Sequence, residues 1–387
     1  MNAKWTHSIR PSDYDIFGGL DVDKTSIAVT FVNPEGFIKS MRIPYNCENL
    51  VSYCARHFPG KRIAFAYEAG PTGYGLYDQL TTLGYRCLIA SASMIPTAPG
   101  QRVKTNRLDS KKIAEALRGG QIRSIHIPTD SYRKLRHLTG LRDTFVRQAA
   151  ANKCRIKALL LFEGIPFPEA PPNSQWSRAV INQLRALVLE DCVRFKLDSL
   201  LANLEFAEGK VLETTKEIRR FCRQDPELCH QIAYLMSIPG IGWIVASHLL
   251  ARIGDWRQIE NVRQLGAFLG LVPTEHSTGD ATNRGSITRM GAGRLRNKLI
   301  QSAWTAVRRD PELHDFYQRV YQKHPLDRAA RKAIVAVARK LTTRIFAVLH
   351  EQRPYDIRYT SPLATKEQKC PRGRLDASQK LEALIGL

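Results

Sequence analysis

Three acidic residues stand in order in the first third of the chain: Asp21 in GGLDVDK, Glu68 in AFAYEAG and Asp109 in KTNRLDSKK. The first two each end a short apolar run that reads as a β-strand. The third falls on a predicted helix, three residues after Asn106, so that Asn106 and Asp109 share a helix face. Oxygen ligands converging this way suit a hard divalent cation, Mg²⁺ or Mn²⁺, rather than zinc. Asp23 follows Asp21 on the same strand face and competes with it as a ligand, although the turn it begins favours Asp21. Each acid alone reads equally well as a cap or a solvated charge; it is their convergence that makes a metal site. In a chain with 58 Lys plus Arg against 36 Asp plus Glu, net charge +22, such a site points at phosphodiester chemistry on nucleic acid.

A second constellation lies in the run from Pro273 to Gly279 (PTEHSTG), which reads as a loop after the apolar AFLGLV. Downstream come Arg284, Arg289, Arg294 and Arg296 in RGSITRMGAGRLR. A serine at 277 beside several guanidinium groups has the elements of a nucleophile facing a phosphate held bidentately. A Ser/Thr/Gly turn on a nucleic-acid-binding surface accounts for the same residues. Two further features fit polyanion binding. Lys104 and Arg107 flank the start of the helix that carries Asp109, and Gly240 and Gly242 in SIPGIG sit between two apolar helices, where backbone amides can approach a phosphate. A tight packing turn between core helices is the competing reading of those glycines.

The elements that must position these groups follow from periodicity. Residues 15–91 read as α/β: strands over Ile16–Asp21, Ser26–Val32 and Phe37–Ile43 joined by tight turns, a short helix through the 50s, and a strand over Arg62–Tyr67. A helix opened by Pro71 and running to about Leu83 precedes the last strand, Arg86–Ala90. The order βββαβαβ followed by a helix is that of an RNase H-like domain. A sheet of this kind places ligands outside strand carboxyl ends, where Asp21 and Glu68 stand. From Ser131 to about Phe162 runs a basic amphipathic helix. After the proline-rich GIPFPEAPPNS, residues from Trp176 to Cys222 keep a helical spacing of apolar positions. Two long helices around a break predict an antiparallel, coiled-coil-like arm or a bundle buried within one domain. The expected division is an RNase H-like domain over 1–130, the arm over 131–234, a mostly helical domain over 235–350, and a basic tail over 351–387.

Composition excludes several classes. A hydrophobic fraction of 43% is that of a globular chain rather than a disordered one. No apolar run approaches the roughly 20 residues needed to span a bilayer, so no membrane partner is expected. The eight cysteines show no CxxC and read as reduced thiols. MNAKWTHSIRPSDYDIF has no apolar segment of signal-peptide length, and a cytoplasmic location is expected.

Six segments, GGLDVDK, YEAGPTGYGLYDQL, RVKTNRLDSKKIA, LRHLTGLRD, SIPGIG and GLVPTEHSTG with GSITRMGAGRLR, occur in the order seen in transposases of the 110 family of insertion sequences, which includes the Piv-type DNA invertases. The resemblance covers roughly residues 15–350. It implies a RuvC-like N-terminal domain with four metal ligands in the pattern Asp, Glu, Asp, Asp, and a C-terminal transposase domain whose serine links covalently to DNA. It also implies guidance by a structured noncoding RNA, a bridge RNA, that pairs with donor and target DNA. Matched residue by residue, Asp21 and Glu68 take the first two ligand positions and Asp109 the fourth. Asn106 stands at the third, offering a carbonyl oxygen without charge, and Ser277 takes the nucleophile position. The family usually shows two successive serines where this chain has Ser277-Thr278. The implied activity is RNA-guided DNA transposition or recombination through a serine–DNA intermediate, assisted by a Mg²⁺-binding acidic site across a domain or subunit interface, in a homo-oligomeric dimer or tetramer. Two rivals make different predictions: a structure-specific endonuclease using the acidic site alone, and a non-catalytic nucleic-acid-binding protein.

Overall fold

The computed structural model describes residues 8–92, 95–96, 105–171, 174–278, 281–288 and 290–356. The chain divides into two compact units between Ile127 and Pro128.

The first unit is a mixed α/β layer. Strands β1 (Ile16–Val22), β2 (Ser26–Asn33), β3 (Gly36–Pro44), β4 (Ile63–Glu68) and β5 (Arg86–Ala90) form one sheet in the order β3-β2-β1-β4-β5. The β1-β2-β3 meander is antiparallel, whereas β4 pairs parallel with β1 and with β5. Helices α1 (Cys47–His57) and α2 (Gly75–Thr82) connect the later strands, and α3 (Asn106–Arg118) follows the sheet. Both faces of β1, β2 and β4 are covered: Leu20, Ile27, Val29, Phe31, Phe65 and Tyr67 form one core, while Phe17, Val32, Ala64, Ala66 and Leu88 form another with Ile113, Ala114 and Leu117 of α3. That double burial is why the central strands read as continuous apolar runs. Burial pushes the Cys54 thiol up to about 12, leaving it an inert core residue.

The expected helix start at Pro71 is corrected. Residues 71–74 form a turn, with Gly73 at φ +65°, a left-handed conformation that cannot continue a right-handed helix. The buried Tyr67 hydroxyl donates to the Gly73 carbonyl at 2.9 Å and holds this turn directly after Glu68.

The second unit is mostly helical. Its long helices α4 (Asp130–Phe162) and α6 (Asp191–Gln224) pack against each other, with α5 (Arg178–Ala186) at their far end. The pairing is antiparallel: Arg142 bonds Thr215 near one end and Lys153 pairs with Glu208 further along, while Tyr132 at the start of α4 bonds Gln231 of the next helix, over Pro226–Met236. The single helix expected over Trp176–Cys222 is two. Leu187 leaves α5 at φ −60°, ψ 135°, and Arg194 of α6 donates from one guanidinium nitrogen to the carbonyls of Leu184, Arg185 and Leu187 at 3.1–3.3 Å. An arginine from the next helix thus satisfies the last carbonyls of the first. Spacing could not show the break, because Leu187, Val188 and Leu189 continue the apolar pattern through it while Val188 is fully exposed.

The remaining helices are α7 (Pro226–Met236), α8 (Trp243–Ile253), α9 (Val262–Phe268), α10 (Gly293–Arg309), α11 (Pro311–Tyr321) and α12 (Leu326–Glu351); a two-stranded hairpin, β6 (Pro273–Thr278) and β7 (Ala281–Ile287), joins α9 to α10. They surround one apolar core that also takes in Tyr132, Leu135, Ile218 and Cys222 from the bases of α4 and α6. No helix among the described residues is long and apolar enough to cross a membrane.

Where α4 meets this core, Asp143 accepts from Lys298 of α10 at 3.0 Å and from His248 of α8 at 3.1 Å, while the other ring nitrogen of His248 donates to the Ile244 carbonyl at 2.7 Å. Burial acts to raise the Asp143 carboxyl, but the hydrogen bonds and charges of His248 and Lys298 outweigh it and hold the group well below the usual carboxylate range. A depressed folded-state carboxyl stabilises the fold above its unfolded value, near pH 4, and loses that contribution as pH falls below it. Asp143→Asn is therefore expected to cost roughly 1–3 kcal/mol at neutral pH. The gap between variant and wild type should close below about pH 4 in urea titrations; a pH-independent gap would refute the ionic account.

Candidate active site

Gly19 on β1 decides how closely α3 approaches the sheet. A Cβ at this position would overlap the backbone of Ser110 and Ala114 on α3, so only glycine lets the helix lie directly on the strand. Opposite Gly19 across the β1–β2 ladder stands Thr30, whose hydroxyl lies 2.8 Å from Ser110 Oγ and 2.7 Å from Ser40 Oγ. Ser110 donates to the Arg107 carbonyl at 3.0 Å. With one hydrogen per hydroxyl, the chain must run from Ser40 to Thr30 to Ser110 to Arg107. It fixes α3 both along and around its axis, and with it Asp109, the residue before Ser110.

The start of α3 is set by Thr105, whose hydroxyl caps the Leu108 N–H at 3.3 Å. The next residue, Asn106, donates its side-chain amide to Asp23 at 3.2 Å, which leaves its carbonyl oxygen as the remaining polar atom. Asp23 also has Arg42 at 3.9 Å. The sequence had Asp23 as a competitor of Asp21; the structure gives it to Asn106 instead. Asp21 and Glu68 each stand one residue beyond the last paired positions of the parallel strands β1 and β4, Leu20 and Tyr67. They are thus neighbours at adjoining strand ends, with Glu68 exposed and Asp21 and Asp109 half-buried.

The side chains of Glu68 and Asp109 have no hydrogen-bond or ion-pair partner among the described residues. No three His, Cys, Asp or Glu side chains among the described residues lie close enough together to hold a metal ion. The donor set of three carboxylates and one amide oxygen fits Mg²⁺ or Mn²⁺ in type.

The segment from Pro273 to Gly279, read from sequence as a loop, instead contributes β6 up to Thr278. The threonines at 274, 278 and 282 suit an extended backbone. Ser277 is paired with Thr282 near the outer end of the hairpin, and the base is tied by the Thr288 N–H to the Val272 carbonyl at 2.9 Å. Close packing at Gly285 admits the Thr274 side chain, whose hydroxyl donates to the Ser286 carbonyl at 3.1 Å. The side chains of Ser277 and Arg284 lie outside the described positions, as do residues Lys104 and Arg289 altogether.

Other expected contacts have assigned places. Arg107 and Arg294 are exposed in the first turns of α3 and α10. Arg296 is half-buried and donates to the Leu269 carbonyl at 3.3 Å, closing the end of α9. Gly240 has φ +90°, and a Cβ there would overlap Ser302 and Ala306 of α10; Gly242 opens α8 with open space around it. Sequence reasoning missed the Ser40–Thr30–Ser110 chain, for which the only local signal is Thr30, a hydroxyl within the apolar run of β2.

Two family models match this chain. One, described as a transposase of the IS116/IS110/IS902 family, matches residues 232–318, and a DEDD transposase model of the IS110 group matches residues 18–163. The chain belongs to the IS110 family of transposases. Among similar proteins is a putative transposase, y4qE, of Sinorhizobium fredii, 28% identical over 338 residues, covering 86% of this chain and 82% of the relative. The transposase for insertion sequence element IS1111A of Coxiella burnetii is 27% identical over 253 residues, 65% of this chain and 68% of the relative. The pilin gene-inverting protein of Moraxella bovis is 31% identical over 158 residues, 40% of this chain and 48% of the relative.

Proposed function

We propose that this protein is a DNA transposase that cuts and exchanges strands through a covalent bond between Ser277 and DNA, guided by a structured noncoding RNA. Membership of the IS110 family carries the coarse statement, a transposase or recombinase acting on DNA. What supports a metal-assisted step within the finer one is that Asp21 and Glu68 end adjoining parallel strands and Asp109 rides on a helix packed directly onto Gly19; the serine bond and the guide RNA rest on the family resemblance. We read the β3-β2-β1-β4-β5 sheet as RNase H-like; its antiparallel meander followed by parallel strands supports that reading.

In this proposal Asp21, Glu68, Asp109 and the Asn106 carbonyl would hold Mg²⁺ or Mn²⁺. When bound, the ion would offset charge on a phosphodiester and favour ionisation of an attacking hydroxyl. The Ser277 oxygen attacks phosphorus, the bond from phosphorus to one deoxyribose oxygen breaks, and the released sugar hydroxyl takes up a proton. The serine–phosphate ester keeps the phosphodiester energy until a hydroxyl of the exchanged strand attacks it and restores Ser277. Arg284, Arg289 and Arg294 are proposed phosphate contacts, as are Lys104 and Arg107.

Exchange requires two duplexes, and we propose that α4 and α6 form a coiled-coil arm joining copies of the chain into a dimer or tetramer. Phe195 and Phe206, eleven residues apart on one face of α6, are 76% and 59% exposed, an apolar surface that a second copy would cover. The function is tested by incubating protein with DNA carrying the element's junction, together with the flanking noncoding transcript, and resolving products on a denaturing gel. A protein-linked strand whose digestion yields a Ser277 peptide is expected. Cleaved DNA free of protein would instead establish the structure-specific endonuclease.

A further inference from the structure

Helices α10 and α11 meet at an angle that leaves a pocket of about 360 Å³ lined by Trp304, Val307, Arg308, His314, Tyr317 and Gln318. The wall is aromatic and braced. The Trp304 ring, in a residue 42% exposed, rests 5.8 Å from Tyr317, and Tyr317 stacks on Tyr321 at 5.9 Å with 28° between planes. The rim is polar and unspent: the Trp304 indole N–H, the Arg308 guanidinium, the His314 ring, the Tyr317 hydroxyl and the Gln318 amide have no hydrogen-bond partner among the described residues. On the same two helices Arg308, Arg309 and Arg319 are exposed, against Asp315.

We propose that this pocket binds an unpaired nucleobase, stacked on Trp304, with Gln318 bonding the base edge and Arg308 and His314 holding the adjoining phosphate. The volume admits a base and part of its sugar. An aromatic face with an amide and cations around it is how single strands are held when no duplex groove is read. A proline-rich peptide would also use a Trp/Tyr wall, but it would leave the guanidinium and imidazole without partners. RNA and single-stranded DNA share the required chemistry. The inference rests on the reading that the protein handles nucleic acid, and its test measures binding alone, so its failure leaves the Ser277 chemistry to be judged separately.

The test uses the full-length protein with twelve-residue single strands, RNA and matched DNA, each containing one 5-iodopyrimidine, and a blunt duplex of the same sequence. Photocrosslinks are expected on Trp304 or Tyr317. Trp304→Ala should weaken single-strand binding roughly 5- to 150-fold, the range for loss of one base stack, while Trp304→Phe keeps most of it and duplex affinity stays within about twofold. Arg308→Ala should lower the salt slope by about one. Tighter binding of one strand type tells whether RNA or DNA is the natural occupant. Crosslinks confined to other segments, or unchanged single-strand affinity in Trp304→Ala, overturn the proposal, as does a proline-rich peptide that competes at the pocket when the single strands do not. Crosslink mapping needs no variant, so a misfolded substitution does not obscure the result.

Discussion

Ser277→Ala is expected to abolish strand transfer and the protein–DNA adduct together, by roughly 10³-fold or more, the scale set by removing a catalytic nucleophile. A free serine hydroxyl is a weak nucleophile near neutral pH and needs activation, so Asp109→Ala should reduce adduct formation as well, and chelation of divalent cations should do the same. The two variants part company in DNA binding: Ser277→Ala should bind junction DNA as tightly as wild type, since one hydroxyl is lost from a two-stranded hairpin. Retained cleavage in Ser277→Ala would establish an endonuclease working through the acidic residues alone. An unchanged adduct in Asp109→Ala would separate the serine chemistry from the acidic set, and indifference to both substitutions would favour a binding protein whose affinity falls steeply with salt.

The parts of this arrangement differ in how far they can be read along the chain. Acidic residues at the ends of apolar runs place themselves, because strand periodicity and the turn at Asp23-Lys24 are local features. Asn106 and Asp109 are equally local, three apart on a helix opened by Thr105. What holds those helix residues against the sheet is a missing Cβ at Gly19 and a hydroxyl chain linking Ser40, Thr30 and Ser110. Those contacts span up to 80 residues, and a hydroxyl within an apolar strand, Thr30, is the only trace of them along the chain. The Ser277 segment was misread for the opposite reason. Ser277 stands next to the turn formers Gly279 and Asp280 in the sequence, and only pairing with Ala281–Ile287 draws Pro273–Thr278 into a strand. The break at 187–190 depends on Arg194 reaching back from the next helix, which apolar spacing does not register.

Arg344→Met is expected to destabilise the helical unit strongly, because it strands a buried carboxylate. Arg344 and Asp310 are 7% and 1% exposed and directly paired. Arg344 also donates to Glu312 at 2.8 Å, Lys340 holds the other Glu312 oxygen at 2.5 Å, and the Tyr355 ring lies 4.8 Å from the Arg344 guanidinium. Asp310 has a second task, capping α11 at the Leu313 N–H over 3.1 Å, so it cannot turn outward when its partner is removed. An uncompensated buried carboxylate costs about 3–5 kcal/mol, or roughly 6–20 °C of melting temperature in a unit of this size. Replacing both partners, Asp310→Ser with Arg344→Met, keeps a cap while removing the stranded charge, and should recover much of the loss. A single-variant cost below about 1 kcal/mol would show the pair to be solvated in solution. The comparison with Ser277→Ala then separates fold from chemistry. Arg344→Met should regain strand transfer on cooling below its lowered melting temperature, whereas Ser277→Ala, fully folded, should regain none at any temperature.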